Sequence, residues 1–272
     1  MKKIRADLLL CEQGHCATPE EGARLIMAGK VRLGPDHLLR KPSEMLDPET
    51  PLLIGNLSEY VSRGAYKLIP ALDRFRPSLE GLVALDIGAS TGGFTDLMLR
   101  RGAEKVYAAD VGRGILHGKL RSDPRVTVVE GVNARTLSDQ EVPEKTDVVT
   151  MDLSFISVTR VLPAADALMK QGAMAFILVK PQFEADRKDV PHGGVVTDER
   201  VREQTVEKVR RFAEGELSWQ TLGVLPSPIK GPKGNQEYVV VFRKAPEEQK
   251  NTPQKQEKTD RTCSSNENQP LF

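Results

Sequence analysis

The sequence predicts an α/β fold: a mostly parallel, seven-stranded sheet covered by helices on both faces, preceded by a smaller α+β unit. Three observations carry this. From about residue 61 to 245, short apolar runs alternate with helical patterns, as a parallel sheet with crossover helices requires. The last two runs are joined by PSPIKGPKGN, too short for a helical crossover, so the last strand is antiparallel. Residues 1–60 instead give two short helical patterns followed by strand-like pieces.

In the front unit, Ile4, Leu8, Leu9 and Cys11 form a helical stripe that ends at Gly14. Thr18 then precedes Pro19, Glu20 and Glu21, an N-cap, a first-turn proline and an acidic first turn. Ala23, Ile26 and Met27 make the buried face of that second helix, and Gly29 closes it. Residues 31–33, a Gly34-Pro35-Asp36 turn and residues 51–54 supply the strand pieces. Seven strand candidates follow: VALDIGA (83–89), KVYAADV (105–111), VTVVEGV (126–132), DVVTMDL (147–153), AMAFILVK (173–180), TLGVL (221–225) and QEYVVVF (236–242). Residues 246–272 are polar and mixed in charge; they bury too little to offset ordering entropy and are expected to be a disordered tail.

Composition narrows the class. Hydrophobic residues make up 39% of the 272, enough for a core, and the formal net charge is +1, so any nucleic acid must be held by local patches. The start MKKIRADLLLCEQ breaks its apolar run with Asp7 and Glu12, and AMAFILV at 173–179 is strand-sized. Neither fits a leader or a membrane span. Cys11, Cys16 and Cys263 form no paired framework, which points to reduced thiols and a cytoplasmic setting. CEQGHC (11–16) lacks a second ligand pair, so a structural reading outweighs a metal one. Oligomeric state is not legible in the chain.

LDIGASTGGFTD (85–96) runs from an apolar strand through small residues into a helix. In open parallel sheets, ligands bind beyond the carboxyl ends of strands, near the point where strand order reverses. Gly88, Gly92 and Gly93 admit close approach to the backbone, with Ala89, Ser90 and Phe94 in the same turn. The G-x-x-x-G-G spacing is neither a dinucleotide fingerprint nor a phosphate loop. Asp86, within the strand end, suits a cationic amino-acid portion. Asp110 ends the next strand, where an acid accepts two ribose hydroxyls. Alone, each acid reads as a charge beside a turn. Together with the glycines they point to an adenosyl cofactor.

Three more polar residues mark strand ends: Asp152 in TMDLSFIS, Lys180 in ILVKPQFE and Glu237 in GNQEYVVVF. A lysine finishing a buried strand is costly unless its charge is paired or lost. Arg63 and Lys67 stand in YVSRGAYKL, where the alternating region begins. Taken singly, Lys67 reads as a solvated helix residue behind a Ser62 cap, with Pro70 in a first turn or kink. Glu237 alone reads as an edge-strand charge.

In this order, YVSRGAYKL, LDIGASTGGFTD, MDLSFIS, VKPQFE and NQEYVVV resemble the TlyA-type ribosomal RNA 2′-O-methyltransferases, a hemolysin-labelled family related to the FtsJ ribose methyltransferases. The resemblance covers residues 3–243. RADLLLCEQG and EEGARLIMAGKV match the family's small RNA-binding domain, of small-subunit-ribosomal-protein type. It implies a Rossmann-like methyltransferase fold over 61–245, S-adenosyl-L-methionine as cofactor, and a tetrad of Lys67, Asp152, Lys180 and Glu237. Asp152 also falls beside the cofactor. Asn133 in EGVNAR either contacts the adenine region, as the family position implies, or is a turn asparagine. The implied partner is ribosomal RNA or a ribosomal subunit, with cytidine as target and no membrane involved. Arg5, Arg24, Lys30, Arg32 and Lys41, with Lys2, Lys3 and Arg40, are then expected on one RNA-facing surface, and Arg63 beyond the EYVS linker is expected to meet phosphate. Gly34-Pro35-Asp36 departs from the family's Asn-Gly turn.

The chemistry fits these residue types. A neutral amine accepts a ribose hydroxyl proton, yet free lysine, with a pKa near ~10.4, is protonated at neutral pH. Burial and a neighbouring cation disfavour the charged form, while carboxylates favour it. Lys180 is the expected base, Lys67 its cationic neighbour, and Asp152 and Glu237 the anchors. Glu184 either shapes the pocket or is a loop charge, and His192 belongs to a loop covering the substrate. Two other classes compete: an RNA-binding assembly factor without catalysis, and a membrane-active hemolysin, for which the chain offers neither a span nor a large amphipathic face.

Overall fold

The computed structural model describes residues 3–27, 29–33, 38–54, 60–75, 77–231 and 233–246. Lys2, the Gly34-Pro35-Asp36 turn and the expected tail beyond 246 lie outside the described residues.

The front of the chain holds β1 (Ile4–Arg5), α1 (Ala6–Glu12), α2 (Pro19–Met27), β2 (Val31–Arg32), β3 (Met45–Leu46) and β4 (Leu53–Ile54), with β1–β3 and β2–β4 as antiparallel pairs. Ala6, Leu9, Leu10, Ile26, Val31, Leu39, Leu46 and Leu52 form an apolar cluster of their own. The inward stripe of α1 is Ala6, Leu9 and Leu10; Leu8 is exposed. The expected stripe is off because Ile4 pairs with Leu46 in a strand, so the helix starts later and turns a different face inward. On α2, Gly22 and Ile26 point inward and Met27 is exposed. Gly22 sits where an added Cβ would lie 2.8 Å from the Asp7 carbonyl oxygen, so α1 and α2 cross in close contact. The Thr18 hydroxyl accepts from the Glu21 amide at 3.3 Å, and Gly29, at φ 69°, turns the chain so that the Lys30 amide donates to Leu25.

Beyond it come α3 (Ala65–Phe75), β5 (Val83–Ile87), α4 (Gly93–Arg100), β6 (Lys105–Asp110), α5 (Gly118–Arg121), β7 (Val126–Glu130), β8 (Thr146–Met151), α6 (Leu162–Leu168), β9 (Met169–Val179), α7 (Pro181–Glu184), α8 (Glu199–Leu217), β10 (Trp219–Pro226) and β11 (Tyr238–Lys244). All seven strand candidates join one sheet, in the order β10-β11-β9-β8-β5-β6-β7. Strands β5 to β9 are mutually parallel, and β11 runs antiparallel to both β9 and β10. The order reverses at β5, which pairs with β6 on one side and β8 on the other.

Side chains alternate between two cores, as strand geometry dictates. Leu85, Ile87, Val149, Met151, Ile177 and Val179 face α6 and α8, while Ala84, Val106, Val148, Phe176, Leu178 and Val241 face α3, α4 and α5. Pro70 lies inside α3, past its first turn, which leaves the kink of the two expected placements. Among the described residues no helix is long and apolar enough to cross a membrane.

Candidate active site

Because β11 is antiparallel, its first residues lie at the edge where the parallel strands end; Tyr238 pairs with Val179. Asp152 just past β8, Lys180 just past β9 and Glu237 just ahead of β11 therefore meet at one rim. Asp152 and Lys180 continue the even-numbered register of β8 and β9, and Glu237 the odd-numbered register of β11, that faces α3 and α4. The third residue of α3, Lys67, reaches into that rim from above the sheet.

The four side chains form an alternating chain of charge. Lys180 Nζ lies 2.5 Å from Asp152 Oδ1, Lys67 Nζ lies 3.3 Å from Asp152 Oδ2, and Lys67 Nζ lies 2.8 Å from Glu237 Oε2. The Lys180–Asp152 and Lys67–Glu237 contacts are both ion pairs, the first with angles outside hydrogen-bond geometry. Lys67 is 8% exposed and Glu237 is 0% exposed. Burial alone would lower the Lys67 amine, but Asp152 and Glu237 outweigh it and hold the amine above its ordinary value. Lys67 is thus a buried, paired cation and not a solvated helix residue. Gly231 makes room for its partner, since a Cβ there would lie 2.5 Å from Glu237 Oε1.

A cavity of about 470 Å³, bounded by Asp110, Asn133 and Phe155 among others, meets a smaller one of about 190 Å³ bounded by Arg63, Lys67 and Asp86. Gly88, Ser90 and Asp152 line both, which sets Asp152, the carboxylate shared by Lys67 and Lys180, at their junction. The larger has the volume of a small-molecule or cofactor site. An added Cβ would lie 2.4 Å from the Asp152 carbonyl oxygen at Gly88, 2.2 Å from Leu120 Cδ1 at Gly92 and 2.6 Å from Ser62 Oγ at Gly93. The missing side chains let neighbouring segments close in, which brings Asp152 and the start of α3 against the turn.

Asp86 is fully buried between the Thr95 and Thr150 hydroxyls, which donate to it at 2.7 and 2.9 Å, and burial pushes its carboxyl up to about 6. Asp110 Oδ2 accepts from the Ser90 amide at 2.8 Å and Oδ1 from the Gly112 amide at 2.7 Å, which shapes the turn and leaves lone pairs toward the cavity. Ala89 and Phe94 are buried in the same turn. Asn133 Oδ1 accepts from the Arg135 amide at 3.1 Å, as a turn asparagine does, and the residue lines the larger cavity.

Asp96, Phe155 and Asn235 were missed, and Glu184 was left between two readings. Asp96, buried in α4, accepts from the Val61 amide at 2.9 Å and fixes the segment leading to Lys67. Glu184 is buried and clamps the loop after Asp152, accepting from the Ser157 hydroxyl at 2.5 Å and the Val158 amide at 2.7 Å, so the loop-charge alternative fails. Phe155, 91% exposed at φ 67°, stands at the mouth beside Phe183. An exposed aromatic in MDLSFIS was the available signal. Asn235, buried, bonds Val196 and Gly194 at 2.9 and 2.8 Å and ties the loop carrying His192 to the start of β11. Cys11 and Cys16 have their sulfurs 3.0 Å apart, and burial, with Cys11 beside it, pushes the Cys16 thiol up to about 11.

Residues 60–244 match the FtsJ-like methyltransferase model. The chain belongs to the FtsJ-like methyltransferase family. It is 45% identical over 245 residues to the 16S/23S rRNA (cytidine-2′-O)-methyltransferase TlyA of Mycobacterium tuberculosis, covering 89% of this chain and 90% of that one. A solved structure from Streptococcus thermophilus, described as a candidate hemolysin, aligns with TM-score 0.70 at 40% identity over 90% of each chain. A candidate S-adenosylmethionine-dependent methyltransferase of Listeria monocytogenes shares the fold, with TM-score 0.52 at 16% identity over 68% of this chain and all of that one.

In this FtsJ-like chain the expected RNA-facing cations are spread over the front unit. Arg24, Arg40 and Lys41 are exposed, whereas Lys30 and Arg32 are half-buried. Arg5 is exposed and donates to Asp7 through Nε and Nη2 at 3.1 and 2.5 Å. Arg63 lines the smaller cavity beside Lys67.

Proposed function

We propose that this chain transfers a methyl group from S-adenosyl-L-methionine to the 2′-hydroxyl of a cytidine in ribosomal RNA, with Lys180 as general base. The observation that carries the reading is the Lys180–Asp152–Lys67–Glu237 chain, whose shared carboxylate Asp152 stands at the junction of the two cavities. When bound, the cofactor supplies a methyl on a cationic sulfur. Asp110, Asn133 and the 88–94 turn would hold its adenosyl part and Asp86 its ammonium, while Asp152 meets both cofactor and tetrad. Lys67 faces two carboxylates and Lys180 only one, shared. Lys67 therefore stays an ammonium and orients the hydroxyl, and Lys180 Nζ takes its proton. Phe155 offers a flat face for the target base. A 2′-hydroxyl substrate excludes DNA.

On this reading residues 1–60 are an RNA-binding unit, 61–245 the catalytic unit and 246–272 a tail, acting on ribosomes in the cytoplasm. Arg5, Arg24, Lys30, Arg32, Lys41 and Arg63 would contact phosphates. Labelled methyl should pass to ribosomal RNA or isolated subunits, mapping to a 2′-O-methylcytidine, with none on RNA carrying a 2′-deoxy sugar at that position. No donor binding in calorimetry would leave an RNA-binding assembly factor instead.

Asp86 predicts a pH dependence. Its carboxyl is raised from 3.8 to about 6 by burial, so the folded chain holds this proton more tightly than the unfolded one. Stability from this group is therefore lost as pH rises across that window. An ammonium in contact prefers the ionised form and offsets that cost. Donor affinity should be full above about 6 and weaken below it, by at most about tenfold per pH unit. Calorimetric titration across that range checks this, and Asp86→Asn should flatten the profile.

A further inference from the structure

The Lys180 amine is held in two different ways. Asp152 Oδ1 faces it at 2.5 Å as a charge, without hydrogen-bond angles. Ser154 Oγ, at 3.1 Å, is its one hydrogen-bond acceptor among the described residues. A charge fixes distance but hardly direction, whereas a hydrogen bond fixes both. We propose that Ser154 is a positioning residue that aims the Lys180 nitrogen at the ribose hydroxyl, an inference that rests on Lys180 being the base.

An amine nitrogen is tetrahedral. One direction is its bond to Cε, the second is the N–H given to Ser154, and the Asp152 charge favours an N–H in the third. The fourth is left to the lone pair. Without Ser154, the amine rotates about its terminal bonds while staying near Asp152, and the lone pair points elsewhere for much of the time. In the reaction the hydroxyl O–H bond breaks as an N–H bond forms on Lys180 Nζ. The oxygen pair bonds to the methyl carbon, whose former bonding pair stays with sulfur. The resulting ammonium donates to Ser154 and faces the Asp152 charge until its extra proton leaves to water.

The loop is built to hold this serine still. Ser154 lies two residues past Asp152, whose amide is anchored to the Ile87 carbonyl at 3.0 Å. On its other side, Glu184 clamps Ser157 and Val158 at 2.5 and 2.7 Å. Both ends of the segment are thus tied to the sheet rim or to α7.

The test compares Ser154→Ala, Ser154→Thr and Lys180→Met with the parent, using labelled donor and ribosomal RNA. Ser154→Ala should lower kcat by about ten- to a hundredfold, the cost of a misdirected reacting group. The RNA KM, the donor Kd by calorimetry and the thermal midpoint should stay at parental values. Ser154→Thr, which keeps the hydroxyl, should recover most of the loss. Parental kcat in Ser154→Ala overturns the inference, as does Ser154→Thr no better than Ala. A fall in donor affinity matching the fall in kcat overturns it too, since Ser154 would then be a cofactor contact. Full activity in Lys180→Met sinks the base assignment itself, and is told apart from the other outcomes by that variant alone.

Discussion

Lys180→Met should lower methyl transfer by about 10²–10⁴-fold, the range supplied by a general base, with donor affinity unchanged. Methionine keeps an apolar stem of similar length, so the packing around residue 180 survives while the proton acceptor is lost. The variant also separates catalysis from folding. Asp152 loses one partner but keeps Lys67 at 3.3 Å and retains some solvent contact, with 21% of its side chain exposed. The same change at Lys67 would be ambiguous: it strands Glu237, 0% exposed, without its cation. Breaking a buried pair in this way costs roughly 3–5 kcal/mol, so a dead Lys67 variant says little about chemistry. Single-turnover transfer of labelled methyl, read beside calorimetry, decides the matter. Undiminished transfer from Lys180→Met would remove Lys180 from the reaction.

That contrast shows how much of the site was legible in the sequence. Strand ends are readable because apolar runs stop abruptly, and Asp152, Lys180 and Glu237 each stood out there. Their convergence follows from one further deduction, the antiparallel last strand, which returns Glu237 to the edge holding Lys180. What the sequence could not convey is burial in three dimensions. Lys67 sits in a helix whose local pattern is equally good for a solvated lysine, and only the packing of α3 over the rim makes it a paired, buried cation. Glu184 stayed open between a pocket role and a loop charge for the same reason, since its partners at 157 and 158 lie on a separate loop. The shifted face of α1 has a local cause. Two residues committed to a strand at Ile4 and Arg5 move the helix start, and with it the whole apolar stripe.

The glycine turn gives the second large effect. Gly88→Ala should cut methyl transfer by about a hundredfold or more, since displacement of a catalytic group by about 1 Å costs that much. Gly88 lies at φ 84°, where a Cβ would sit 2.4 Å from the Asp152 carbonyl oxygen and 3.2 Å from Leu153 Cδ2. Neither side can yield cheaply. The Gly88 amide donates to Ala109 at 2.8 Å and the Asp152 amide to Ile87 at 3.0 Å, so both segments are fastened to the sheet. Relief must come by moving Asp152, the carboxylate that both lysines share. Left-handed strain alone costs roughly 1–2 kcal/mol, and Gly172→Ala isolates it, because Gly172 has φ 76° with nothing within 4 Å of an added Cβ. Thermal unfolding should therefore show a loss in both variants, with the larger in Gly88→Ala, while only Gly88→Ala loses turnover. Parental turnover in a folded Gly88→Ala protein would mean that the placement of Asp152 between its two lysines does not govern the reaction.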